Sequence, residues 1–266
     1  MSEAAKPERT KTEHRLEKSI ELNASPDQVW NALTNPTELV KWFPLEARLT
    51  PGLGGKYFIS WGPAWEGQGE IIAWEPGKRF GWKNPIGTVE FIIESRAGKT
   101  ILRLVQSSFL SGEDWENEWS ASTDYGWGFM LLSLQWIFER HPGAVRQVRW
   151  PRQTSGLSRE ETYARLLHAS GIFQADANAI LHAGAPYNAT TTTGQNFSGH
   201  VEFLKPLRGF CISIRELNDA LFWLTIEGTA DKIDAQIWLS AFNVAESELD
   251  SFAQQWSQRL REIFSQ

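Results

Sequence analysis

The chain has 266 residues, 41% of them hydrophobic and 22% charged, which is close to the globular average and sufficient for a buried core. Its formal net charge is −6 and its basic residues are scattered, which argues against nucleic-acid binding, because phosphate contacts require a basic patch. No apolar run reaches the roughly 18 residues of a membrane span, and the single cysteine, Cys211, excludes an intramolecular disulfide.

The N-terminal residues are polar and lack the apolar stretch of a secretory signal, so we expect a cytoplasmic protein with a disordered lead over residues 1–12. A first strand is predicted over 14–22. Ser25 then has the features of a helix N-cap, since Gln28 completes a capping box and Pro26 takes the first helical position. A second short helix is predicted over 37–43.

The hydrophobic period then changes from 3.6 to 2, which predicts antiparallel strands. The predicted strands are 47–50, 55–61, 67–74, 78–83, 88–95 and 100–109. A long amphipathic helix is predicted over 124–139, where apolar residues recur three and four positions apart. This order predicts an α+β, helix-grip fold, in which a curved antiparallel sheet wraps around a long C-terminal helix and leaves a cavity between them.

The second half of the chain repeats this order of elements. Four residues recur 130 positions later: Gly69 as Gly199, Pro76 as Pro206, Phe80 as Phe210 and Phe43 as Phe173. Shifted by 130 positions, the first strand predicts a strand over 144–152. A second capping box, Ser158 with Glu161, predicts a helix near 158–167, and a final helix is predicted over 247–263. We therefore predict an internal duplication, with one helix-grip domain over 13–142 and a divergent second copy over 143–266.

An ordered set of motifs in the first half carries a family resemblance. The motifs are Ser25-Pro26-Asp27-Gln28-Val29-Trp30, Trp42-Phe43, Gly54-Gly55-Lys56-Tyr57, Gly69 with Glu75-Pro76, and Gly126-Trp127. The set resembles the START-like (SRPBCC) superfamily and, within it, the branch named after the activator of the ninety-kilodalton heat-shock ATPase. The resemblance implies a helix-grip cavity of the kind that binds lipids, sterols, polyketides or other apolar ligands. The branch also includes a co-chaperone domain, and some superfamily members are cyclases or hydroxylase subunits.

Aromatic side chains are the main candidates for a ligand site, because small-molecule pockets are mostly apolar with a few polar groups. The predicted ligand-binding residues are Trp61, Trp65, Trp74, Trp82, Phe91, Arg103, Trp127 and Leu131. For any single ring a core position is the more common outcome, and for Arg103 a surface position.

Two further features of the sequence leave undecided which residues line the site. Alternation along the last strand places Arg103 and Ser107 on one face and Gln106 and Ser108 on the other, so one pair points inward. An acidic segment before the predicted helix holds Trp115 and Trp119, which we expect to be lid or surface residues.

The sequence contains no motif typical of catalysis or metal binding. The five histidines lie far apart and the cysteine has no partner, so no metal and no cofactor are expected. No Gly-x-Ser-x-Gly elbow is present, and no glycine-rich segment opens a helix after a strand. No catalytic residue is predicted.

Three functions remain open. The first is a non-catalytic protein whose first domain binds a small apolar ligand. The second is a stress-response, co-chaperone-like interaction module with a chaperone or another protein as partner. The third and least favoured is a cyclase or hydrolase of an aromatic substrate, with Glu70 or Arg103 as the titratable residue. For the second domain we expect a structural or dimerising role.

Overall fold

The computed structural model describes residues 12–63, 65–96, 98–110, 114–229 and 232–265, with the side chain of Asp114 excepted. The chain divides into two compact units, Met1–Glu139 and Arg140–Gln266. The predicted disordered lead lies outside the described residues except for Thr12, which begins the first strand. The domain limits predicted from the sequence, 13–142 and 143–266, stay a prediction.

The first unit contains an antiparallel sheet and three helices. Its elements are β1 (Thr12–Leu22), α1 (Pro26–Thr34), α2 (Pro36–Leu39), β2 (Glu46–Leu49), β3 (Lys56–Ser60), β4 (Glu66–Glu75), β5 (Arg79–Lys83), β6 (Gly87–Arg96), β7 (Lys99–Leu110) and α3 (Asp114–Glu139). The strand order is β1-β7-β6-β5-β4-β3-β2. The first helix begins as predicted, because Ser25 accepts a hydrogen bond from the Gln28 backbone and the Gln28 side chain returns one to Ser25.

The long helix α3 begins ten residues before its predicted start at 124. Its first turns are rich in acidic residues, which stabilise the positive end of the helix dipole. The same turns contain Ser, Asn and Thr, whose weak helix propensity hides the start of the helix in the sequence. Trp115 and Trp119 therefore belong to α3 itself and not to a segment that precedes it.

The second unit has the same architecture with a different first strand. Its elements are β8 (Arg146–Arg149), β9 (Arg152–Thr154), α4 (Arg159–Leu167), α5 (Ala177–Ile180), β10 (Pro186–Thr190), β11 (Asn196–Lys205), β12 (Gly209–Ile214), a 3-10 turn (Arg215–Leu217), β13 (Ala220–Thr229), β14 (Lys232–Phe242) and α6 (Glu246–Phe264). The strand order is β10-β11-β12-β13-β14-β8, and β9 also pairs with β14. The single strand predicted over 144–152 is divided because Pro151 has no backbone N–H for the ladder.

The duplication is visible in the backbone hydrogen bonds. In the first unit Gly54 N donates to Ile71 O over 2.9 Å; in the second, Gly184 N donates to Val201 O over 2.8 Å. Gly184 lies 130 positions after Gly54, and Val201 lies 130 positions after Ile71. The β4–β5 register shifts just after Ile71, and the β11–β12 register shifts just after Val201. The predicted α+β fold is confirmed, and the two sheets, each followed by a long helix, fit two tandem helix-grip copies.

Within the described ranges, no helix combines the length and the hydropathy that crossing a membrane would require.

Candidate functional site

A pocket of about 370 Å³ opens in the first unit between the inner face of the sheet and α3. Strands β3 to β7 supply one wall, and residues 119–130 of α3 supply the other. The aromatic residues of its lining are Phe43, Trp61, Trp65, Trp82, Trp119 and Trp127. The volume lies at the lower end of the roughly 300–1,000 Å³ found for small-molecule sites, and the pocket is open to solvent on one side.

Trp127 of α3 is fixed on the floor of the pocket. Its Nε1 donates a hydrogen bond to Gln106 Oε1 on β7 over 2.6 Å. The ring of Phe43 stacks on it with a centroid distance of 4.9 Å, and Phe91 meets it edge-on at 5.8 Å. Because three contacts hold this indole, we expect the floor of the pocket to be formed before any ligand enters.

Gln106 is the polar group of this floor and is only 8% exposed. An indole N–H can only donate, so the amide atom that faces Trp127 must be the oxygen. The Gln106 Nε2 group donates to none of the described residues. Its N–H groups are therefore available to a hydrogen-bond acceptor in the pocket.

Trp61 provides a second unused donor. Its ring stands nearly perpendicular to Phe43, at 85° and 5.1 Å between centroids. The Trp61 Nε1 atom is buried and has no hydrogen-bond acceptor among the described residues. A buried donor without a partner is unfavourable, by about 1–3 kcal/mol, so this atom favours an acceptor brought by a ligand or by water.

Tyr57 supports the wall of the pocket from behind. Its ring stacks on Trp82 with a centroid distance of 4.2 Å. Burial raises the pKa of Tyr57 well above its ordinary value, so the hydroxyl stays protonated. Its ring therefore serves as packing for Trp82.

Four of the eight predicted ligand-binding residues line the pocket: Trp61, Trp65, Trp82 and Trp127. Phe91 and Leu131 lie behind this lining in the core, with 1% and 2% of their surfaces exposed. Their participation in ligand binding stays a prediction.

Trp74 does not line the pocket, contrary to the sequence interpretation. Its ring packs on Trp30 of α1 at 5.0 Å and on Phe80 at 5.8 Å, at the end of the sheet that α1 covers. The strand pattern cannot distinguish the part of a face under α1 from the part under α3.

Arg103 also lies away from the pocket, on the outer face of the sheet. Its guanidinium pairs with Glu17 over 3.1 Å and with Glu94 over 3.7 Å. The hydrogen bond from Arg103 lowers the pKa of Glu17, as expected for a cross-strand ion pair. Leu102 and Leu104 point inward and are fully buried, which places Arg103 outward and Gln106 inward.

The inward-facing polar residue that the sequence interpretation left undecided is therefore Gln106. The neighbouring leucines carried a signal for its direction, because the apolar positions of a half-buried strand mark the inner face. Phe43 and Glu66 were not singled out as ligand contacts, since their places depend on the path of the chain between elements.

Glu66 is the single charged residue of the described lining. Glu70, a titratable candidate of the enzyme hypothesis, pairs instead with Lys83 over 3.6 Å and lies outside this pocket. Among the residues that the structure describes, no group of three or more His, Cys, Asp or Glu side chains is placed to hold a metal ion.

The corresponding interior of the second unit is filled by its own rings. Phe222 contacts Phe210 at 6.1 Å, Phe252 at 6.1 Å and Trp256 at 5.5 Å. All four side chains are less than 2% exposed. The two copies therefore share a backbone design but differ in what occupies the space between helix and sheet.

Comparisons with known proteins address the first unit most directly. Residues 23–139 match the model of the family described as "Activator of Hsp90 ATPase homolog 1-like protein", and the match does not extend into the second unit. No curated protein matches the chain.

Several solved structures are similar. The solution structure of the Aha1 dimer from Colwellia psychrerythraea is 20% identical, covers 49% of this chain and 99% of its own, and has a TM-score of 0.43. Protein MLL2253 from Mesorhizobium loti is 23% identical over 48% of this chain and 98% of its own, with a TM-score of 0.42. DynU16, from the dynemicin biosynthetic locus, is 17% identical over 94% of this chain and 96% of its own, with a TM-score of 0.41.

The sequence motifs, the helix-grip fold of the first unit and the family match agree with one another. Residues 23–139 are an SRPBCC-type domain of the Activator of Hsp90 ATPase homolog 1-like family.

Proposed function

We propose that the first unit binds a small apolar ligand, without catalysis, in the pocket between its sheet and α3. The observation that carries this proposal is a pocket of about 370 Å³ with six aromatic residues in its lining and one charged residue. Such a lining favours burial of an apolar body, which contributes about 25 cal/mol per Å² of surface removed from water.

The ring contacts around Trp127 support a pre-formed site. A pocket whose walls are already ordered loses little side-chain entropy when a ligand enters, so more of the burial free energy appears as affinity. A compact two-ring ligand fits a pocket of this size better than a sterol or a long acyl chain. We expect dissociation constants on the order of 1–100 μM for such compounds.

The unused donors at Gln106 Nε2 and Trp61 Nε1 favour a ligand with an oxygen acceptor at its buried end. A carbonyl oxygen at Gln106 Nε2 would satisfy a donor that is otherwise unused. We therefore expect 2-acetylnaphthalene to bind more tightly than naphthalene, by about 3- to 10-fold for one net hydrogen bond.

Gly126 provides the test of the site. It lines the pocket, and a Cβ at this position would meet nothing within 4 Å, so a larger side chain would project into the open space. We expect Gly126→Leu to abolish binding of 2-acetylnaphthalene in isothermal titration calorimetry while the variant remains folded by circular dichroism.

Gly128 is the matched control. It lies on the same helix, a Cβ there also meets nothing within 4 Å, and it is outside the pocket lining. Gly128→Leu should keep the affinity of the unchanged protein. Equal affinity in both variants, or no binding by any member of an apolar library, would refute the proposal.

A second candidate function is a co-chaperone-like protein interaction. It is supported by exposed apolar side chains near the pocket mouth, Trp65 at 55% and Ile86 at 42%, with Phe109 next to Ile86 and 54% exposed. The test is the ATPase rate of a purified chaperone of the ninety-kilodalton heat-shock class with and without the full chain. A stimulated rate that Trp65→Ser reduces would support this function, and an unchanged rate would count against it.

A further inference from the structure

The charge in the described pocket lining is only negative. The described lining contains one carboxylate, Glu66, and no Lys, Arg or His. Glu66 is exposed, and its carboxylate forms no hydrogen bond or ion pair with any residue that the structure describes. By contrast, Glu70 on the same strand is paired with Lys83. Glu66 is therefore an uncompensated negative charge at the mouth of an aromatic pocket.

The rings beside this charge present faces that attract cations. Indole rings have the most negative faces of the aromatic side chains. Trp65, the neighbour of Glu66, is 55% exposed and lines the same mouth, while Trp61 and Phe43 meet at 85° and form a corner. An ammonium group at this position would contact an indole face and a carboxylate at once.

The polar groups of the pocket are also ordered along its depth. The buried end carries donors, Gln106 Nε2 and Trp61 Nε1, and the solvent end carries the acceptor Glu66. A cation is disfavoured beside donors and favoured beside a carboxylate, so a ligand would enter with its charged end at the mouth.

We infer that the ligand is an organic cation, an amine or quaternary ammonium compound with an aromatic or alkyl body. Its cationic group lies between Glu66 and Trp65, and its apolar body lies against Trp61, Trp82 and Trp127. This inference rests on the proposed function and adds the chemical class of the ligand.

The test compares two probes of equal shape that differ only in charge, phenyltrimethylammonium and tert-butylbenzene. Their dissociation constants are measured with the full chain by saturation-transfer NMR on the nine equivalent methyl protons. We expect the cation to bind about 3- to 30-fold more tightly, the range for a cation at an aromatic face. Raising the ionic strength should weaken the binding of the cation only.

Glu66→Gln should weaken the binding of phenyltrimethylammonium by about 2- to 5-fold, as for an exposed ion pair, and leave that of tert-butylbenzene unchanged. Glu70→Gln, on the same strand, should change the affinity for neither probe. If tert-butylbenzene binds as tightly as the cation, the inference is overturned and the proposed function stands. If neither probe binds but 2-acetylnaphthalene does, the inference alone is overturned; if none of the three compounds binds, the proposed function is overturned with it.

Discussion

Leu207 adopts a backbone conformation that suits glycine. Its φ is 62°, and the residue 130 positions earlier, Gly77, has a φ of 70° in the same turn of the first unit. A left-handed conformation costs a residue with a Cβ about 1–2 kcal/mol. The Cβ of a side chain at Gly77 would meet Asp27 at an ordinary 3.6 Å, so the conformation and not crowding selects glycine there.

We predict that Leu207→Gly stabilises the protein by about 0.5–1 kcal/mol, because the relief of backbone strain exceeds the added entropy of the unfolded chain. Thermal unfolding followed by circular dichroism should show a higher midpoint. The reciprocal change, Gly77→Leu, should lower it. A lower midpoint for Leu207→Gly would show that contacts of the leucine side chain outweigh the strain.

His141 is a buried titratable group in the second unit. It is 7% exposed, stacks on Phe242 with a centroid distance of 4.2 Å, and its Nε2 has no partner among the described residues. Burial lowers its pKa, and the nearby Arg140 acts in the same direction, while Asp219 opposes them. The folded protein therefore favours the neutral ring.

The lowered pKa predicts that acid destabilises the fold through this residue. The unfolded chain binds a proton at His141 at a higher pH than the folded chain does, so the contribution is complete above the unfolded pKa of about 6.5 and is lost as pH falls through the folded value. In His141→Phe, which keeps the stacking, the unfolding midpoint should fall less between pH 8 and pH 5. Equal slopes would exclude His141 as the source.

At the scale of the elements, a glycine lies beside the bulge in each copy of the sheet. A Cβ on Gly69 would lie 2.1 Å from Lys83 O, and one on Gly199 would lie 2.1 Å from Ser213 O. Both obstacles are backbone atoms, which cannot rotate away. The close approach of the neighbouring backbone beside each register shift therefore depends on the absence of a side chain.

We predict that Gly69→Ala destabilises the protein by about 1–3 kcal/mol, the usual range for overpacking without room to relax. Urea unfolding measures the loss. Gly67→Ala on the same strand is the control, because its Cβ would meet only the Ile59 side chain, at 3.3 Å. A loss at Gly67 as large as at Gly69 would contradict the backbone explanation.

Most elements follow from local sequence, because caps, turns and period-2 patterns act over a few residues. The capping boxes at Ser25 and Ser158 both form as predicted. Two features were not predicted from the sequence: the start of α3 and the interruption of the strand at Pro151. Weak propensity over the first turns of α3 is overcome by packing, and one proline divides a strand whose hydrophobic pattern continues across it.

At the scale of the whole chain, one interior contains a pocket and the other is filled by rings. The sequence predicted the fold and four of the pocket-lining residues, because those rings lie on strands and a helix that face inward. It could not separate Trp74 from them, since which part of the sheet α1 covers is a property of the assembled unit.

We predict that Phe222→Ala destabilises the protein by about 3–5 kcal/mol, since the ring contacts four other aromatic side chains. The affinity for 2-acetylnaphthalene should be unchanged at a temperature where the variant is folded, because the described pocket lining comes entirely from the first unit. Titration calorimetry and urea unfolding measure the two quantities. A parallel loss of affinity would show that the second unit takes part in binding.

The fixed floor around Trp127, with its ring stack and its hydrogen bond to Gln106, has a calorimetric consequence. Entry of an apolar body into a preformed apolar pocket releases heat near 25 °C instead of drawing its driving force from solvent entropy. Binding should therefore be exothermic, and it should become more exothermic on warming, because the burial of apolar surface gives a negative change in heat capacity.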